Sequence, residues 1–222
     1  MNKRFLINLF PEKLRYKIID LRGRGEYSFF ANKYQTIFIH IPKTGGSSLA
    51  KSLFNQSSRH VPWFEYYKYN EMKFNQFFKF AIVRNPWDRL VSSFFYLKNG
   101  GMNKMDSDWA LENLSKYDNF EDFVKGWVNK KNINSWVHFK PQKYWICNEN
   151  NKIMIDYLGR LETISKDFLF ISNKLDNARS LMKINSSSRG KYQNYYNYQT
   201  KEIVEKVYSD DIKLFGYNFE DI

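Results

Sequence analysis

The chain has 222 residues, 43% hydrophobic and 19% aromatic, enough to bury the core of one α/β domain. Its formal net charge is +12, from 35 Lys and Arg against 23 Asp and Glu, which favours anionic partners: nucleotides, nucleic acid, acidic glycans or a membrane surface. One cysteine, Cys147, excludes an internal disulfide; no Cys/His group has zinc-ligand spacing, so a reducing compartment and no metal are expected.

Residues 1–33 form an N-terminal extension that is expected to be helical. Its apolar run, Phe5 to Phe10, is too short to span a bilayer and lacks a small-residue cleavage site, so the expected location is cytoplasmic. Residues 1–30 mix Arg and Lys with Phe, Leu and Ile, which leaves peripheral membrane contact as the alternative to a helix packed on the domain. Thr36 to Ile41 is a β-branched and apolar run stopped by Pro42, and Ser47 to Phe54 places Leu49, Leu53 and Phe54 at helical spacing: strand, loop, helix. A second such unit follows. Phe80 to Val83 reads as a buried strand, Asn85 as an N-cap, Pro86 as the first helical residue and Asp88 as a first-turn acid, with the helix running to about Leu97. Polar stretches at 99–107, 129–134, 148–152 and 185–197 read as loops. Lys152 to Tyr157 is expected to be a third strand, and Lys201 to Phe215 one amphipathic helix with Ile203, Val204, Val207, Ile212 and Leu214 inward. Alternating strands and helices favour a mainly parallel sheet covered by helices, in a single domain over 1–222.

Two segments carry chemistry. In Pro42-Lys43-Thr44-Gly45-Gly46-Ser47-Ser48, the glycines let the backbone approach an anion, and the following helix offers its free N–H groups and positive dipole end. Lys43 adds a full charge; Thr44, Ser47 and Ser48 add hydroxyls. This is not a Walker A sequence, because the lysine precedes the glycine pair. In Arg84-Asn85-Pro86-Trp87-Asp88-Arg89-Leu90-Val91-Ser92, Arg84 stands at a strand's carboxyl end beside a second helix start, with Arg89 and Ser92 on one face of that helix. Alone, the first segment is an anion-binding turn and the second a capped helix with surface ion pairs. Together they suggest a nucleotide with phosphates at two separated positions.

The pair P-K-T-G-G-S-S and F-A-I-V-R-N-P-W-D-R-L-V-S-S-F resembles the two donor-binding signatures of sulfotransferases that use 3′-phosphoadenosine 5′-phosphosulfate (PAPS), in the branch of carbohydrate sulfotransferases and many bacterial relatives. The likeness continues through His138-Phe139-Lys140-Pro141-Gln142, Ile155 to Glu162, and Tyr208 to Tyr217, covering about residues 35–219. It implies that family's P-loop nucleotide-binding-like fold, a three-layer sandwich around a mainly parallel sheet. It also implies transfer of a sulfuryl group to an acceptor hydroxyl, leaving adenosine 3′,5′-bisphosphate, without a metal. By the same resemblance Lys43, Thr44, Gly45, Gly46, Ser47 and Ser48 hold the 5′-phosphosulfate, Arg84 and Ser92 hold the 3′-phosphate, and Arg189 and Lys191 are further donor contacts. The expected acceptor is a glycan, and nucleic acid is not an expected partner.

Sulfuryl transfer needs a cation over the developing charge and a base for the acceptor proton. Lys43 is the natural cation. His60 lies between the two signatures, where related sulfotransferases often carry their catalytic histidine, and is the first candidate for the base. His138 is the second, with substrate positioning as its other role; His40 reads as support for the turn, and a carboxylate such as Glu65 could stand in. Two other classes compete: a P-loop-type kinase or phosphotransferase, against which the absent Walker A sequence counts, and a non-enzymatic RNA-binding protein. The latter is suggested by the charge and the aromatic richness but has no RRM, KH or zinc-knuckle motif.

Overall fold

The computed structural model describes residues 10–21, 25–27, 30–177, 180–181 and 190–221, without the side chain of Lys13. Helices α1 (Glu12–Leu21) and α2 (Phe30–Tyr34) precede strand β1 (Thr36–Ile39); α3 (Gly46–Phe54), α4 (Trp63–Tyr69) and α5 (Glu71–Gln76) lead to β2 (Phe78–Val83). Helices α6 (Pro86–Lys98), α7 (Lys104–Leu114), α8 (Phe120–Trp127) and α9 (Lys143–Ile146) lead to β3 (Tyr157–Arg160), followed by α10 (Ile164–Lys174), α11 (Tyr198–Val207) and α12 (Ser209–Phe215). The architecture is mixed α/β. Among the described residues one three-stranded sheet runs in the order β1-β2-β3, with β1 and β2 parallel from Thr36 opposite Phe78 to Ile39 opposite Ala81. Every residue of β1, and of β2 beyond Phe78, is buried, which is why residues 37–39 and 80–83 read as continuous apolar runs and not as alternations.

The described chain divides into two compact units. The first comprises residues 1–41, 45–82 and 144–184; its core joins Phe38, Leu49, Leu53, Phe80, Ile82, Phe168 and Ile171. Helix α1 packs on α4, where Tyr16 and Tyr69 lie 4.4 Å apart and the buried Asp20 carboxylate accepts from Lys73 at 2.7 Å and Asn70 at 2.9 Å. The second unit comprises residues 42–44, 83–143 and 185–222. Its core is an aromatic stack: Phe94 and Phe123 are 5.0 Å apart, Trp127 and Phe139 4.8 Å, and Trp109 lies parallel to Trp136 at 5.2 Å. No helix among the described residues is long and apolar enough to cross a membrane.

Three local expectations are corrected. The stretch 152–157 is mostly not strand, because Asn148 closes a turn that folds residues 152–154 back on 146–147: Met154 N donates to Ile146 O at 2.8 Å and Asn148 N to Lys152 O at 3.0 Å. Strand β3 begins only at Tyr157. The expected closing helix is two helices, since Tyr208 leaves helical geometry at φ −102°, ψ 22° while its hydroxyl donates to Phe139 O at 2.7 Å. The polar run 99–107 is partly helix, because its Asn103 caps α7 by accepting from Asp106 N. A cap and a polar first turn read as loop when the sequence is judged on polarity alone.

Candidate active site

In the first unit, the start of α3 is built on two glycines that no other residue replaces without movement. Gly45 caps the helix at φ 79°, in the left-handed region, and a Cβ there would lie 2.7 Å from Leu161 Cδ1. A Cβ on Gly46 would lie 2.0 Å from Cδ2 of His40, so the imidazole packs directly against bare backbone. His40 is buried, with Nδ1 2.8 Å from Ser58 Oγ: it supports the turn, as its place in the sequence suggested. His60 is exposed, its ring 4.2 Å from that of His40, and its Nδ1 lies 2.8 Å from the His40 carbonyl oxygen. A carbonyl only accepts, so Nδ1 carries the proton and Nε2 is the basic nitrogen of the neutral ring. Ser47 is exposed and Ser48 half-buried in the first turn of α3.

In the second unit, two arginines hold the backbone that carries the lysine. Lys43 is half-buried and adopts φ 68°, a strained value for a side-chain-bearing residue. Its carbonyl accepts from Arg84 Nη1 at 2.9 Å, while Arg84 Nε donates to Asp88 Oδ2 at 2.8 Å. Arg89 is 2% exposed and donates from Nε to Pro42 O and from Nη1 to Lys140 O, both at 2.9 Å. Burial pulls its pKa below the ordinary arginine value; its Nη2 has no partner among the described residues. Arg89 is thus an internal clamp and not the surface ion-pair residue that its helix position suggested. Thr44 is fully buried, and the half-buried Ser92 hydroxyl has no partner among the described residues.

The strand end that carries Arg84 is fixed by Gln142 of the H-x-x-P-Q segment. Its Oε1 accepts from Arg84 N at 2.9 Å and its Nε2 donates to Arg84 O at 2.8 Å, a side-chain substitute for a neighbouring strand. Gln142 N and Lys143 N in turn donate to the buried Asp211 carboxylate at 2.6 and 3.0 Å. Asn85 caps α6 through Trp87 N, as predicted, and also donates to Tyr192 Oη at 3.0 Å and Asn218 O at 2.9 Å.

His138 is buried at 6% exposure, with Nε2 3.0 Å from Asp106 Oδ1. The other oxygen of Asp106 accepts from the Tyr96 hydroxyl at 2.7 Å and Asn103 Nδ2 at 2.9 Å. The rings of Tyr96 and His138 meet edge to face at 4.9 Å, and the Lys43 ammonium sits 3.8 Å from the Tyr96 ring centroid. Lys191 is exposed just before the turn Tyr192–Tyr195; Arg189 lies outside the described residues.

The second unit thus brings together Lys43, Arg84 and His138, while His60 belongs to the first. Sequence reasoning missed Gln142, Arg89, Tyr96 and Asp106 in these roles. The first two stand inside the motifs that were read, and their burial was the missing signal; Tyr96 and Asp106 meet across a loop and leave no spacing to recognise.

A family model of the sulfotransferase family matches residues 27–218. A curated protein of Archaeoglobus fulgidus, carrying only the name uncharacterized protein, is 24% identical over 122 residues, 54% of this chain and 85% of that protein. No solved structure matches the chain.

Proposed function

The chain belongs to the sulfotransferase family, and from that premise we propose that it moves a sulfuryl group from PAPS to an acceptor hydroxyl on a carbohydrate, with His60 as the base. The reading carries with it the family's three-layer, P-loop-like sandwich. The observation that carries it is the state of Lys43: a half-buried cation at φ 68°, its carbonyl held by Arg84, immediately before a glycine-started helix. Such a turn offers N–H groups and a fixed positive charge, which suits a phosphosulfate anion. Gly45 and Gly46 are required by packing, since a Cβ on either would meet Leu161 or the His40 ring, and they set the turn from which the helix N–H groups start.

PAPS, when bound, supplies the activated sulfuryl group. Lys43 offsets the charge that grows on the departing phosphate oxygen, and Thr44, Ser47 and Ser48 of the same sequence segment are assigned to the phosphosulfate with it. Arg84 and Ser92 are assigned to the 3′-phosphate; the Ser92 hydroxyl, which has no partner among the described residues, supports this, whereas two Arg84 nitrogens already serve Asp88 and Lys43. Lys191, exposed at its turn, and Arg189 are assigned as outer donor contacts. His60 accepts the acceptor's proton on Nε2, the nitrogen that its bond to the His40 carbonyl leaves basic. His138, at 6% exposure, is poorly placed to meet an acceptor and is not the base in this scheme.

The test pairs binding with transfer. Calorimetry should give tighter binding of adenosine 3′,5′-bisphosphate than of ATP, and radiolabelled PAPS should label glycan acceptors. Tighter ATP binding would replace this reading with a phosphotransferase.

A further inference from the structure

We propose that Tyr96 is a positioning residue that holds the Lys43 ammonium over its ring, and that the buried Asp106–His138 pair holds Tyr96; the inference rests on Lys43 acting as the cation of sulfuryl transfer. All four residues lie within the second unit. A lysine on a loop has four rotatable side-chain bonds, and its charge is useful only where it is kept. The Tyr96 face lies 3.8 Å from the ammonium, inside the range where the ring quadrupole attracts a cation. A ring face draws the ammonium as a whole without fixing the direction of any N–H, so the head can still turn toward an anion. Arg84 secures the backbone of the same residue through the Lys43 carbonyl. Lys43 is therefore held at both ends.

The ring is itself tied down. The Tyr96 hydroxyl donates to Asp106 Oδ2 at 2.7 Å and accepts from Met102 N at 3.0 Å, while His138 Nε2 meets Asp106 Oδ1 at 3.0 Å. Gly101, at φ 66°, allows the loop to close on this carboxylate: a Cβ there would lie 2.3 Å from Asp106 Cβ. Burial, followed by the bond to Asp106, pushes the Tyr96 phenol up to about 12, so it stays a donor at neutral pH. A phenol that donates to a carboxylate passes electron density into its ring and deepens the negative face that the ammonium sees. This gives the histidine of the H-x-x-P-Q segment a task that needs no access to solvent. It completes the network behind the ring.

The test compares Tyr96→Phe, which keeps the face, with Tyr96→Leu, which removes it, in the full chain with ¹³C-labelled lysine. In the wild type the Lys43 ε-methylene protons should be shifted upfield by the ring; the shift should persist in Y96F and vanish in Y96L. In steady state, kcat should fall about 3-fold in Y96F and on the order of 10-fold in Y96L, with acceptor KM unchanged. In a Lys43→Ala background the Tyr96→Leu loss should disappear. Melting curves establish that each variant is folded at the assay temperature. An unchanged lysine shift in Y96L, or full additivity with Lys43→Ala, overturns the proposal. A wild type that shows the shift but transfers no sulfuryl group to any acceptor overturns the reaction reading and leaves the contact standing.

Discussion

At Gly46 the missing side chain is what the packing requires. An alanine methyl would lie 2.0 Å from the His40 ring, and that ring belongs to the residue whose carbonyl orients His60. Gly46→Ala should therefore cost about 1–3 kcal/mol, the usual penalty of overpacking, and lower turnover as well. Thermal melting and initial rates on one preparation check this; a variant that loses stability alone would separate the turn from the histidine. His60→Ala should leave adenosine 3′,5′-bisphosphate binding nearly intact and reduce turnover on the order of 10²–10⁴-fold. Unchanged turnover would move the base to a carboxylate such as Glu65. Lys43→Ala should weaken both binding and turnover. At this scale the members of the proposed site stand out in the sequence, because Lys43, the glycine pair and His60 are chemically conspicuous. What the sequence did not disclose was the tautomer of His60, since its partner is a backbone carbonyl and leaves no residue signature.

Among the elements, the two strand-loop-helix units were readable because caps and apolar runs are local: Asn85 and Pro86 start α6 where expected, and α3 begins at Gly46. The later elements were not, since Tyr208 breaks the closing helix while bonding to Phe139, 69 residues away. Arg89 illustrates the same limit. Its spacing on α6 was correct, but whether it faced water or the carbonyls of Pro42 and Lys140 depended on segments about 50 residues distant. A lysine at this position has one ammonium and cannot bridge both carbonyls with a planar fork. Arg89→Lys is expected to destabilise the protein by roughly 2–3 kcal/mol and to raise the donor KM, because the loop bearing Lys43 loses an anchor. Urea unfolding measures the first effect and steady-state kinetics the second. If stability falls while the donor KM stays level, the clamp serves the fold and not the loop.

Over the whole molecule, two bulk properties separate by function. The aromatic richness that could have meant base stacking is largely absorbed by packing: Phe94, Trp109, Phe120, Phe123, Trp127 and Phe139 are all buried in the core of the second unit. The cations behind the charge of +12 behave otherwise: among the described residues only Lys79 and Arg89 of the Lys and Arg set are buried, so the rest of the described positive charge is at least partly exposed. A positive field of that size raises the local concentration of an anionic donor, and the effect is carried by screened, solvent-exposed charge. Raising the salt concentration from about 0.02 M to about 0.3 M shortens the screening length from roughly 20 Å to roughly 6 Å. The donor KM should then rise about 3- to 10-fold while kcat stays within about 2-fold, since Lys43 acts at contact distance and is screened little. Initial rates at varied PAPS with saturating neutral acceptor read both constants. A fall in kcat at constant KM would instead place the salt-sensitive charge in the transfer step, and the surplus of Lys and Arg would then need a partner other than the donor.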